Sequence, residues 1–455
     1  MRVTWGLITT ALWLWIKTNG ALRHTNYTKM ETDSYPKRLV LIGGGFGNIQ
    51  LIKRLKNYSS FQITLIDKHN YHTFQPLLYQ VASGGLGSDA VAYPYRKIFR
   101  NYKNFNFRLA EVQEIDTEKN ILLTNIGPVE YDELVIGTGS ETNFYGMENM
   151  AKWAMELKSI PQALDLRSNI LQEFEEAINT VNMGERKAYL NFVVVGAGPT
   201  GVETAGALAE FKKHVLPFDY PELDHNLMHV HLVEAGPRLM PAMSEIASAK
   251  TKEYLEELGV KVWLNTAVKD FDGKAITFGD GTALETRTVL WSAGVKGSLI
   301  SGIKEEAILR KSRYLVDETN KVKGYDNIYA IGDVAAMVTD KTPNGHPGVA
   351  QVAIQQGDRL GKNMIARMLG RKQNPFQYND LGSMATIGRN RAVVDLPFIK
   401  FQGRIAWLAW MFIHLMTLVS FRNRVIVFVN WMWNYFTYER SIRLIIRPFT
   451  TKTRD

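Results

Sequence analysis

The chain has 455 residues, 54 Lys plus Arg against 45 Asp plus Glu, 45% apolar residues and no cysteine. At about 100–200 residues per domain this length supports two to four domains with sizeable cores, and collagenous or wholly disordered chains are excluded. Without cysteine there is no disulfide framework, Cys-ligated zinc, iron–sulfur cluster or redox-active thiol pair, so any electrons it moves travel through a bound organic cofactor.

The first 29 residues differ from the rest: Arg2 precedes an apolar run over 5–16, followed by Lys17 and a polar stretch. Such a run fits a signal peptide or short anchor, but no small-x-small cleavage pattern follows Ile16. Met30 opens a polar lead directly before a strong strand, which favours a start at Met30 and an over-extended reading frame upstream. Residues 1–36 are therefore read as a leader or over-extended start.

Next come four apolar residues, 39–42, ending at Gly43-Gly44-Gly45-Phe46-Gly47, then a helical pattern through Leu55 and a strand over 61–66 ending at Asp67. Strand, glycine turn, helix and strand make a βαβ unit with its glycines at the first turn. The pattern returns at 192–195, leading into Gly196-Ala197-Gly198-Pro199-Thr200-Gly201, a helix through about Phe211, and a strand over 229–233 ending at Glu234. Further strands end in glycine at Gly137-Thr138-Gly139, Gly294 and Gly332-Asp333, as the carboxyl edge of a parallel sheet requires. A helix is expected over 349–369, and short strands beyond Asn374. The domains expected are 37–150 and 295–375 for one nucleotide-binding fold, 151–294 for the other, and 376–455 for a carboxyl-terminal region. The fold class is α/β, with two Rossmann-like dinucleotide-binding domains plus a membrane-associating helical region.

Each glycine turn serves a physical need: backbone must turn tightly and approach a pyrophosphate, whose charge meets a helix amino terminus. The acids at the ends of the next strands, Asp67 and Glu234, can accept hydrogen bonds from ribose hydroxyls, and a carboxylate would repel a 2′-phosphate. The second turn therefore favours NADH over NADPH. One departure is Asn48, at the third glycine position of the first unit. It implies a slightly displaced helix or an amide contact near the phosphates. His225, His229 and His231 suggest a metal, but no carboxylates complete a site and the strand must serve the cofactor, so that reading is rejected.

The net charge of +9 is unevenly spread: from Phe401 to Asp455, Arg404, Arg422, Arg424, Arg440, Arg443, Arg447, Lys452 and Arg454 face only Glu439 and Asp455. The same stretch holds Trp407, Trp410, Trp431 and Trp433, four of the ten tryptophans. Cations and indoles beside apolar runs suit an anionic lipid surface. The apolar run over 405–421, as a helix of about 1.5 Å per residue, reaches roughly 25 Å, short of a hydrocarbon core of about 30 Å. A second run covers 425–436, and Arg422 and Arg424 between them suit an interfacial hairpin. A dimer interface is the bland alternative. Nucleic acid is a poor partner for so many Leu, Ile, Phe and Trp.

Two dinucleotide folds, with a Gly-Thr-Gly strand between them and a Gly-Asp strand after the second, resemble the two-dinucleotide-binding flavoproteins. Within that superfamily the missing cysteines remove thioredoxin, glutathione, lipoamide and sulfide:quinone reductases. The segment His72-Thr73-Phe74-Gln75-Pro76-Leu77-Leu78-Tyr79-Gln80-Val81-Ala82, the segment Ala350-Gln351-Val352-Ala353-Ile354-Gln355 and the basic aromatic end are together similar to type II NADH dehydrogenase, the single-subunit NADH:quinone oxidoreductase. The resemblance runs from about Lys37 to Pro448. It implies FAD on Gly43, Gly45, Gly47, Asp67, Thr138, Gly139 and Asp333, and NADH on Gly196, Gly198, Gly201, Glu234 and Gly294. It also implies catalytic roles for Glu203, beside nicotinamide and flavin, and for Gln351 and Gln355, at the quinone. Some family members carry His at the position of Ile354. Implied too are a membrane quinone as acceptor, a peripheral location on the cytoplasmic face of the inner membrane, and a homodimer. A soluble ferredoxin-type reductase and a non-enzymatic redox sensor are the alternatives.

Overall fold

A computed structural model describes residues 35–310, 312–437, 442–445 and 449. The leader reading and most of the basic residues after Thr437 lie outside the described residues. Strand β1 (Lys37–Ile42) leads through the first glycine turn into helix α1 (Phe46–Leu55), then β2 (Phe61–Asp67), β3 (Phe105–Leu109) and β4 (Glu133–Ile136). Helix α2 (Ile160–Asn179) precedes the second unit: β5 (Asn191–Val195), α3 (Pro199–His214), β6 (His229–Val233), β7 (Lys261–Trp263) and β8 (Thr288–Trp291). The chain then returns with β9 (Ile328–Ala330) and α4 (Ala350–Met368).

These strands form two parallel sheets, in the orders β9-β4-β1-β2-β3 and β7-β6-β5-β8. The central strands are unbroken apolar runs because both faces are covered: all of β5 is buried, as are the last four residues of β1. In each sheet the strand before the glycine turn lies between two neighbours and ends level with them. Ile42 pairs in register with Ile66 and Ile136, and Val195 with Val233 and Trp291. Both glycine turns thus open at the carboxyl edge, where an open parallel sheet binds ligands.

After α4 the chain forms a three-stranded antiparallel sheet, β10 (Ser383–Thr386), β11 (Ala392–Asp395) and β12 (Lys400–Gln402), followed by α5 (Arg404–Thr417) and α6 (Phe421–Thr437). Trp410, Val427 and Trp431 share one core with Val202, Ala205 and Leu208 of α3. The helical boundaries differ from the sequence expectation. The apolar run breaks at residues 418–420, and Arg422 and Arg424 stand in the first turn of α6 rather than between helices. A local side-chain contact closes the break: Arg424 Nε donates to the Leu418 carbonyl at 3.1 Å, which caps the end of the preceding helix. Among the described residues no helix is long and apolar enough to cross a membrane.

Candidate functional site

The two glycine turns superimpose in their chemistry. Gly43 and Gly196 take positive φ of 86° and 97°, and a Cβ on either would lie 2.5 Å from backbone of the adjoining strand end, at Gly137 or Ala293. Gly45 (φ −71°, ψ −178°) and Gly198 (φ −72°, ψ −179°) then open α1 and α3, and no side chain caps either helix. Uncapped N–H groups at a helix start are a ready anion site. The outer sides are clear: a Cβ on Gly139 or Gly198 would meet nothing within 4 Å, and one on Gly45 only Gly137 O at 3.8 Å. That open backbone fits the passage of a pyrophosphate.

The acids repeat the match. Asp67 accepts from Gly44 N at 2.6 Å and His69 N at 2.7 Å; Glu234 accepts from Ala197 N at 2.8 Å and Gly236 N at 2.7 Å. Each carboxylate is therefore fixed against its own glycine turn and against the residue two further on, while it stays half-buried at the strand tip. Tyr95 is an addition in the first turn. Its hydroxyl lies 3.0 Å from Gly44 O and 3.1 Å from Asp67 Oδ2.

Asn48 resolves the departure seen in the sequence. Its buried amide donates to Ile42 O at 3.0 Å and Gly43 O at 2.7 Å, so it staples the helix to the strand end rather than reaching towards a phosphate. In the second turn the same location is Gly201, where a Cβ would overlap the Gly196 carbonyl oxygen. Gly47 faces helix α4 instead, 3.0 Å from Ala353 O by a Cβ built on it.

Asp333 accepts from Ser140 Oγ at 2.7 Å, and that hydroxyl in turn accepts from Lys158 Nζ at 2.9 Å. Burial lowers the Lys158 ammonium from its ordinary range, and Asp333 works against that shift. The Ser140–Asp333 bond ties the end of the Gly-Thr-Gly turn to the Gly-Asp turn, while Thr138 Oγ1 donates to Ser298 O at 2.6 Å and Gly332 N donates to Gln356 at 2.7 Å. Gly294 lies under the exposed ring of Tyr145, whose hydroxyl is 3.4 Å from Ala293 O. Lys158, Ser140 and Gln356 carry no motif and were not expected from the sequence.

Glu203, on the second turn of α3, is buried against the carboxyl-terminal sheet, where Thr386 N donates to it at 3.4 Å. Burial pushes its carboxyl up to about 8, against the opposing effects of Thr386 and the Trp410 indole. The Trp410 N–H makes no hydrogen bond of ordinary geometry, although its ring is fully buried beside the acid. The His72–Ala82 segment reaches the same region: His72 Nδ1 donates to Gly44 O at 3.1 Å, and Gln80 Oε1 accepts from Trp431 Nε1 of α6 at 2.7 Å. Burial lowers His72 to about 4, so its ring is neutral.

The two glutamines of α4 separate. Gln355 commits both amide atoms to Asn379, donating to its carbonyl at 2.9 Å and accepting from its N–H at 3.0 Å. Through that pairing Gln355 pins the following loop. Gln351 is half-buried, with an amide not bonded to any described residue. Of the rejected metal trio, His231 accepts from Trp263 Nε1 at 3.2 Å and packs beside His229 in the second sheet.

Twin glycine turns at the carboxyl edges of two parallel sheets define a fold with two nucleotide-binding cradles. Residues 37–357 match the family model described as pyridine nucleotide-disulphide oxidoreductase, and residues 381–438 match the NDH2 C-terminal domain. The chain is 35% identical to type II NADH:quinone oxidoreductase Ndh of Mycobacterium tuberculosis, with 89% of each chain covered. It is 37% identical to NdhA of the same organism, covering 87% of this chain and 86% of the relative. The solved structure of NDH2 from Plasmodium falciparum in complex with NADH shares the fold, with a TM-score of 0.82 at 23% identity, covering 90% of this chain and all of that one. The chain belongs to the type II NADH:quinone oxidoreductases. It does so without a single cysteine, so no disulfide chemistry accompanies the fold.

Proposed function

We propose that this protein oxidises NADH and reduces a membrane quinone, with FAD as the intermediate carrier and without pumping protons. The observation that carries this reading is the pair of matched turns, each with an uncapped helix start and a carboxylate fixed against its glycines. FAD would rest on Gly43, Gly45, Gly47, Asp67, Thr138, Gly139 and Asp333, and it supplies a centre able to take up a hydride and release two electrons. NADH would rest on Gly196, Gly198, Gly201, Glu234 and Gly294. Glu234 would exclude a 2′-phosphate through like charge. Glu203 would hold a proton at neutral pH in the space between the nicotinamide half and the carboxyl-terminal helices, where the quinone arrives. Gln351 is the glutamine with an amide available to a ligand; Gln355 acts through the loop it pins.

The carboxyl-terminal helices would rest on anionic lipid at the cytoplasmic face of the inner membrane. Supporting this, Phe421, Val425, Phe428, Val429, Trp433 and Phe436 of α6 are exposed on its outer side. The same face could pair two copies. Flotation with vesicles containing anionic lipid separates these uses: the protein should float with the vesicles, and a Trp433→Ser, Phe436→Ser double variant should stay below while still oxidising NADH with a soluble quinone. Flotation unchanged in that variant would remove the lipid reading, and its conversion from dimer to monomer would assign the face to self-association.

A further inference from the structure

Helix α5 turns its apolar residues Ile405, Leu408 and Phe412 outward and buries Ala406 and Trp410. His414 follows Trp410 by one turn and lies on its indole, with ring centroids 4.1 Å apart at 23°. The imidazole stands edge-on to Phe74 at 6.4 Å, and Phe74 edge-on to Phe46 at 5.9 Å. Phe46 directly follows Gly45 of the first glycine turn. A continuous wall of rings therefore runs from the first turn to the half-buried imidazole of a helix with an exposed outer face.

The protonation of that imidazole can be read from its partner. Nδ1 lies 2.8 Å from the Trp410 carbonyl, which can only accept, so Nδ1 carries the hydrogen and Nε2 keeps its lone pair. No described residue bonds Nε2. Burial lowers the group to about 4, and no charge acts on it. The titratable groups facing α5 include Glu203, across Trp410; Tyr79, whose ring lies 6.5 Å from Trp410 and whose hydroxyl accepts from Gln80 Nε2 at 2.8 Å; and Tyr435, whose ring lies 5.6 Å from Trp407.

We infer that His414 is a quinone-site residue whose Nε2 accepts the hydroxyl hydrogen of the reduced headgroup. The inference rests on the quinone reductase reading above and assigns a residue within it. The overall reaction, NADH + H⁺ + quinone → NAD⁺ + quinol, adds two hydrogens to oxygens that begin as acceptors only. An acceptor nitrogen gives such an oxygen nothing at the start and a hydrogen bond once it carries hydrogen. His414 therefore favours the reduced ligand and the late stage of its formation over the oxidised ligand.

The test compares two substitutions in the full-length holoenzyme, with a water-soluble benzoquinone and its hydroquinone as probes. His414→Asn keeps a donor near the Trp410 carbonyl and loses the outer acceptor; His414→Gln places an amide oxygen near the position of Nε2. In the Asn variant quinol inhibition should weaken about tenfold and kcat with quinone should fall by a similar factor, as loss of one hydrogen bond dictates, while KM for quinone stays within about twofold. The Gln variant should recover much of both. Bleaching of bound flavin by NADH checks folding in each. Unchanged quinol inhibition in the Asn variant, or equal shifts for quinone and quinol in both variants, would overturn the assignment. Failure of the wild-type protein to reduce quinone at all would instead sink the parent reading.

Discussion

The first and second nucleotide turns perform one task with different third residues. In the second, the helix is pressed so close to its own turn that only Gly201 fits. In the first, Asn48 occupies the gap and donates to the Ile42 and Gly43 carbonyls, the former also accepting from Gly137 N at 2.9 Å. The demand for a small residue has moved to the contact with α4, where a Cβ on Gly357 would overlap the Gly47 carbonyl. Close approach of helix and strand is thus one of two ways to build the cradle; a side-chain staple with a tight helix–helix crossing is the other.

Exchanging the third residues breaks this comparison most directly. Gly201→Asn should weaken NADH binding by about two orders of magnitude, about 2.7 kcal/mol, because its side chain enters backbone. Fluorescence titration with NADH reads the change, and bound flavin should remain. Asn48→Gly, the reverse exchange, should cost about 1–3 kcal/mol in thermal or urea unfolding through two lost bonds to buried carbonyls. If both variants behave alike, the two turns are not built differently.

The carboxylates sharpen the comparison because their geometry is the same. Glu234→Ala should weaken NADH binding about tenfold and narrow the preference over NADPH, as loss of a charged hydrogen-bond acceptor implies. Unchanged selectivity would remove the ribose contact. Glu203→Gln is read in the pH dependence of stability. The folded protein holds a proton on Glu203 up to about pH 8, while the unfolded chain releases it near the ordinary carboxyl value of 4.5. Stability from this group is complete below the lower value, falls as pH rises between the two, and is flat above. The Gln variant should lose that slope and gain stability relative to wild type at pH 9; parallel melting curves against pH would contradict the burial of a protonated acid.

Much of this architecture can be read along the chain because it is local. An unbroken apolar strand, a glycine turn and a carboxylate one strand later are neighbours in sequence as in space, so Gly43, Asp67, Gly196 and Glu234 stand where their spacing puts them. What escapes is the work of side chains joining distant segments. Nothing in Gln355 announces that it pairs with Asn379. Glu203 is legible as an acid near a helix start, but its burial depends on Thr386 and Trp410, which only the folded chain brings beside it.

Anaerobic spectroscopy of the purified protein tests the central claim most directly. The protein should be yellow, lose its visible flavin absorbance on addition of one equivalent of NADH, and regain it on addition of a quinone analogue, with FAD as the nucleotide released by acid. Bleaching that quinone does not reverse, or a colourless protein that cannot take up FAD, would contradict the account.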